Sequence, residues 1–226
     1  MQLITGQSSK AKIRELIKTI LIFWLGTFVC KIFLRITESY ILPYYHVESP
    51  NIELKESFIQ LQNELGSFWP FFFILIAPLV EETSVRLALS FKKRDVFIGL
   101  YTLFFVCVNA ATGNLHNFPL WKILILLLAL AGCLYLYKKI RQEPLTQIKN
   151  KYGKSIIYLS IMLFVLLHIP NFDSFTLAQN PFFICYFSYL LITSYCITRL
   201  RIYNGFWWGY GLHVINNALA TWSSFG

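Results

Sequence analysis

Apolar residues in this chain come in long uninterrupted runs, not at the every-third-or-fourth spacing of a helix with one wet face. Seven runs, at about 16–33, 68–91, 96–111, 120–137, 155–168, 181–198 and 206–222, are separated by shorter polar or basic stretches. A hydrocarbon layer about 30 Å thick is crossed by roughly 20 apolar residues in an α-helix. A helix is also one of the few structures that satisfies its own backbone there. The pattern therefore predicts an all-α fold, a polytopic transmembrane helix bundle of about seven spans. Lys18 and Lys31, near the two ends of the first run, can snorkel to an interface.

The one long polar stretch, 36–66, carries Glu38, Glu48, Glu53, Glu56 and Glu64 against a single Lys55, and Pro43 and Pro50 oppose a continuous helix. It reads as an extramembrane loop with a short surface helix around 53–66. Lys92, Lys93 and Arg94 end the second run, 112–119 makes a short loop, and Pro170 stops the fifth run. The chain so divides into an N-terminal span with its external loop, 1–67, and a core, 68–226, that holds an inserted helical hairpin at about 96–154. No internal repeat or low-complexity segment stands out.

Composition agrees with the membrane assignment. Hydrophobic residues make up 56% of the chain and charged ones only 14%, where a soluble domain carries nearer a quarter. The net charge of +9 suggests nucleic acid until the basic residues are placed, because they cluster between the apolar runs. With the N-terminus cytoplasmic, fifteen of the twenty Lys and Arg fall on the inner side, in the stretches 10–18, 92–94, 138–154 and 199–201. The expected partner is thus a lipid bilayer and no nucleic acid, and the expected location is the bacterial cytoplasmic (inner) membrane. Five cysteines without CxxC spacing imply neither a disulfide framework nor a zinc knuckle. The N-terminal run lacks a small-residue cleavage site and reads as a retained span.

Against this background the polar residues inside the runs become conspicuous. Glu81, Glu82 and Arg86 interrupt the second run, where a charge costs about 2.5–3.5 kcal/mol on insertion scales and is usually functional. Glu82 and Arg86, four apart, share a helix face and can neutralise each other, while Glu81 points about 100° away. A packing ion pair accounts for Glu82 and Arg86 as well as a function does, but it does not account for a second adjacent carboxylate. His168 follows Phe164 by four positions at the end of the fifth run. His213 and Asn217, with Asn216 beside them, lie four apart in the last. A single buried histidine is more often satisfied by a backbone carbonyl than catalytic. Together with the glutamates, however, these are nearly all the strong polar groups in the bundle, and each needs a partner. His46 and His116 fall in loops and read as solvated interface residues.

A carboxylate with imidazoles can take a proton from water and make it a nucleophile, and an imidazole and an amide N–H can hold the oxyanion that forms. The set suits amide hydrolysis. Two imidazoles and a carboxylate are also three plausible zinc ligands, with water as the fourth, although no compact HExxH motif is present. Proton relay in a transporter is the competing use of buried carboxylates, and it predicts repeats and paired broken helices that the sequence lacks.

The order EExxxR at 81–86, FxxxH at 164–168 and HxxxN at 213–217 resembles the CAAX prenyl protease and bacteriocin-processing (CPBP, or Abi) family of intramembrane proteases, over about 68–220. APLVEE before the first motif, HIPNF at the second and the stretch from Arg201 to Asn217 agree with it. The resemblance implies an intramembrane endopeptidase acting on a prenylated, lipidated or leader peptide held at the membrane. Glu81 would activate water, Glu82 and Arg86 complete its motif, His168 assist the base, and His213 with Asn217 hold the oxyanion. The family is described both as zinc-dependent, with Glu81, His168 and His213 the matching ligands, and as glutamate-dependent without metal. The interval between Glu82 and His168 is longer than in its compact members. A non-catalytic membrane immunity or partner-binding protein would keep the same motifs. At 1.5 Å per residue, Glu81 and His213 fall in the cytoplasmic half, but His168, counted from residue 155, falls about 20 Å up, nearer the outside.

Overall fold

The computed structural model describes residues 8–112, 119–172 and 175–225, and they contain helices and turns but no strand. The expected loop at 112–119, with His116, lies mostly outside the described residues. The seven long helices are α1 (Ser9–Ile36), α2 (Asn51–Leu65), α3 (Lys93–Thr112), α4 (Leu120–Lys139), α5 (Gln142–Leu166), α6 (Asn180–Asn204) and α7 (Phe206–Phe225). Four helical stretches among the described residues are long and apolar enough to cross a membrane: Ser9–Tyr44, Leu120–Lys139, Gln142–Asn171 and Leu177–Asn204. The all-helical bundle expected from the apolar runs is observed, with four stretches long and apolar enough to cross a membrane where about seven crossings were expected.

Two boundaries differ from the hydropathy pattern, each for a physical reason. The helix begun by α1 does not stop in the mid-thirties but continues through a π-helical turn, Thr37–Ile41, to Tyr44. Proline lacks an N–H, and its ring crowds the carbonyl four residues back. The turn is centred on that carbonyl, and the N–H of Leu42 reaches back to Thr37, five residues away. The helix thus absorbs Pro43 by widening. The expected surface helix in the polar region is α2, and none of its residues is buried. The basic stretch 138–154, expected to be a loop, is mostly helix, since α5 starts at Gln142. Gln, Glu and Lys favour helix whatever their polarity, and an apolar run reports only where a helix is dry. The depth of His168 counted from residue 155 therefore has no helix start under it.

The chain forms two compact units, one of residues 77–160 and one of residues 2–76 with 161–226. In the first, Gln142 at the start of α5 accepts from the N–H of Lys93 (2.9 Å) and donates to the carbonyl of Phe91 (2.8 Å). Phe91 has φ 54°, the left-handed conformation that ends the preceding helix. In the second, α1, α6 and α7 enclose a core of Phe23, Cys196, Ile197, Leu200 and Leu212. An aromatic cluster of Phe172, Phe182 and Phe183 packs on Leu42. The Arg199 side chain of α6 joins Glu15 of α1 (Nε to Oε2 3.1 Å) and Tyr195 (2.6 Å).

Without a hydrophobic drive between helices in lipid, close backbone approach at small residues carries much of the association. Gly209 of α7 is such a point, because a Cβ there would stand 3.0 Å from the Ile197 carbonyl oxygen and 3.2 Å from the Arg201 Cβ. Gly209→Leu should lower stability by about 1–3 kcal/mol, read as a fall in the thermal unfolding midpoint in detergent. An unchanged midpoint would show that α7 does not depend on this contact.

Candidate functional site

From Gly66 to Ser90 the chain stays helical in six short pieces: 3₁₀ at Gly66–Phe68, α at Trp69–Phe71, π at Phe72–Ile76, α at Ala77–Glu81, π at Glu82–Arg86 and 3₁₀ at Leu87–Ser90. The single long helix expected for the run 68–91 is therefore an irregular one. The first of its π turns is centred four residues before Pro78, repeating the device at Pro43. The second has no proline to accommodate and carries the Glu82–Arg86 pair. Single π turns inside helices are frequent at functional sites.

In the first unit Glu82 and Arg86 are fully buried and joined in an ion pair from Arg86 Nη1 to Glu82 Oε1. The pairing expected from their spacing is formed. Glu81 is half-buried and within electrostatic reach of the same guanidinium. Two contacts hold this turn in place. Ser160 of α5 donates to the carbonyl of Val85 (3.0 Å), next to the junction of π and 3₁₀ geometry. Gly99 lets α3 approach so closely that a Cβ would stand 3.2 Å from both the Thr83 carbonyl oxygen and the Ala88 nitrogen.

In the second unit His168 lies just past the end of α5, half-buried, its Nδ1 2.8 Å from the carbonyl oxygen of Phe164. A carbonyl only accepts, so Nδ1 carries the proton and Nε2 the lone pair that can take a proton or bind a metal. The Phe164 ring is 4.6 Å from the His168 ring and 5.6 Å from that of His213, which is 3% exposed on α7. One phenylalanine thus forms a shared wall for both imidazoles.

The two neighbouring asparagines of α7 have different partners. Asn217 donates from Nδ2 to the Phe73 carbonyl (3.0 Å), and Tyr210 donates to that of Leu75 (3.1 Å), both carbonyls belonging to the π turn Phe72–Ile76. Asn217 therefore commits one amide N–H to the backbone. Asn216 accepts from the Tyr189 hydroxyl of α6 (2.7 Å) through Oδ1, an arrangement that orients its amide. Tyr189 and Ser160 had no signal in the sequence, since an isolated tyrosine or serine in an apolar run is ordinary. The exposed His46, with φ 55°, ends the helix that passes through Pro43.

The six expected site residues are thus grouped as Glu81, Glu82 and Arg86 in one unit and His168, His213 and Asn217 in the other. Within either unit, no three His, Cys, Asp or Glu among the described residues form a metal-holding group. Removing one partner of a buried pair costs about 3–5 kcal/mol, whereas replacing both with apolar residues is often neutral. Glu82→Leu alone should therefore destabilise strongly, and Glu82→Leu with Arg86→Met should recover most of the loss in thermal unfolding. Equal losses in single and double variants would mean the pair does not act as a unit. No protein-family model, curated protein or solved structure matches this chain.

Proposed function

We propose that the protein is an intramembrane endopeptidase that hydrolyses a peptide bond of a prenylated, lipidated or leader peptide held at the bacterial cytoplasmic membrane. The observation that carries this proposal is the pair of imidazoles on Phe164, with His168 held in the Nδ1–H form by a backbone carbonyl. That is the tautomer and orientation an assisting base needs. The order of the three motifs, and their resemblance to the CPBP proteases, supplies the reaction class.

In this mechanism Glu81 takes a proton from water as the oxygen attacks the peptide carbonyl, and His168 Nε2 shares in that transfer. The carbonyl becomes a tetrahedral oxyanion facing His213 and the asparagine amides of α7. Collapse breaks the C–N bond, and the proton held by the base passes to the leaving amine, so the products are a carboxylate and a free amine. Glu82 and Arg86 hold the turn that directly follows Glu81. If zinc takes part, Glu81, His168 and His213 are the residues that would hold it, and it would supply an acidified attacking water. Asn217 gives one amide N–H to Phe73, and in this mechanism the oxyanion donor is Asn216, whose Oδ1 is held by Tyr189. The full topology belongs to the same proposal: seven crossings, including 68–91, 96–111 and 206–222, with the N-terminus cytoplasmic as the basic stretches indicate.

Purified protein in proteoliposomes, offered internally quenched peptides with and without a C-terminal farnesyl group, should cleave at least one of them. Glu81→Gln, His168→Ala and His213→Ala should each lower kcat by about 10²-fold or more, and cleavage that survives Glu81→Gln would sink the proposal. Asn216→Ala should lower kcat with KM little changed, while Asn217→Ala should act mainly on the unfolding midpoint. Bound zinc in elemental analysis together with inhibition by strong chelators would assign the metal route; full activity without zinc would leave Glu81, assisted by His168, as the activator of water.

A further inference from the structure

The first turns of α1 carry two parallel ridges, Lys10, Arg14 and Lys18 at intervals of four, and Ile13, Ile17 and Leu21 at the same interval. Rows spaced by four residues form the natural ridges of an α-helix, with grooves between them. Here the space between them is an open groove of about 560 Å³, ending at Ile22. Its walls are aliphatic, made by the isoleucines and the methylene stems of the cations. All six ridge residues are exposed.

Glu15 is the only acid in the stretch 8–22, and its carboxylate is turned to Arg199 of α6. Among the described residues no carboxylate pairs with Lys10, Arg14 or Lys18. They span about 12 Å along the axis, at the end of a helix long and apolar enough to cross a membrane. An apolar trough that begins under cations at a membrane surface matches one ligand chemistry, an acyl chain that ends in an anionic phosphodiester. We propose that this groove binds one anionic glycerophospholipid, its phosphate among Lys10, Arg14 and Lys18 and an acyl chain along Ile13, Ile17 and Leu21. The site is independent of the proposed proteolysis.

The test is titration of the delipidated full chain with phosphatidylglycerol or phosphatidylcholine, followed by native mass spectrometry. The first phosphatidylglycerol should bind at least about tenfold tighter than phosphatidylcholine. Lys10→Gln, Arg14→Gln and Lys18→Gln should each weaken it roughly fivefold, the effect of about 1 kcal/mol per surface cation, with unfolding midpoints unchanged. Ile13→Ala with Ile17→Ala should weaken it as well. Three outcomes overturn the proposal: equal affinity for the two lipids; displacement of the lipid by an equal concentration of soluble glycerol phosphate, which would make this a phosphate site; and an equal loss on changing Lys149, Lys151 and Lys154 to Gln, which would make the preference a property of diffuse surface charge.

Discussion

A backbone carbonyl that loses its helical partner in a water-poor interior must find a donor inside the protein, and this requirement shapes the molecule around its irregular segments. Four backbone carbonyls in or beside the irregular stretch 72–91 are met by a side chain from elsewhere in their own unit. Ser160 covers Val85, Gln142 covers Phe91, Tyr210 covers Leu75 and Asn217 covers Phe73. Such bonds are directional, so they fix the rotation of α5 and α7 in a way that apolar contact does not. Within one unit Ser160 thus registers α5 against 82–90, and within the other Tyr210 and Asn217 register α7 against 72–76.

The same requirement explains why the prolines are tolerated. Pro43 and Pro78 each follow a π turn centred four residues earlier, where their rings would otherwise meet a carbonyl. The turn at Glu82–Arg86 has no such cause and is held instead by a buried charge pair, by Ser160 and by the close passage of α3 at Gly99. A buried pair is seldom a strong source of stability. Its effect here is to keep a polar stretch helical among apolar neighbours, with Glu81 beside it and half-buried.

On the histidine side, geometry turns polar residues into chemically distinct ones. The Phe164 carbonyl decides which nitrogen of His168 is basic, and the Phe164 ring sets both imidazoles against one surface. The two neighbouring asparagines are separated by their partners, one donating to backbone and the other accepting from Tyr189. The motif resemblance pointed to Asn217, and the structure shows that one of its two amide N–H groups is given to the Phe73 carbonyl.

Length and polarity of the runs were enough to determine that the chain is helical and membrane-associated, since no other backbone solution fits that many apolar residues in a row. They also anticipated the pairing of Glu82 and Arg86, because four residues along a helix is close to one turn. What they did not contain was the continuation of α1 through Pro43, the start of α5 at Gln142 in a basic stretch, and the division of 66–90 into α, π and 3₁₀ pieces. Those outcomes depend on donors and close contacts supplied from distant positions, such as Ser160 for Val85, Gln142 for Phe91 and Asn217 for Phe73. The tautomer of His168 and the roles of Tyr189 and Asn216 belong to the same class. A hydrogen bond has a direction that hydropathy does not encode, and only the packed helices supply it.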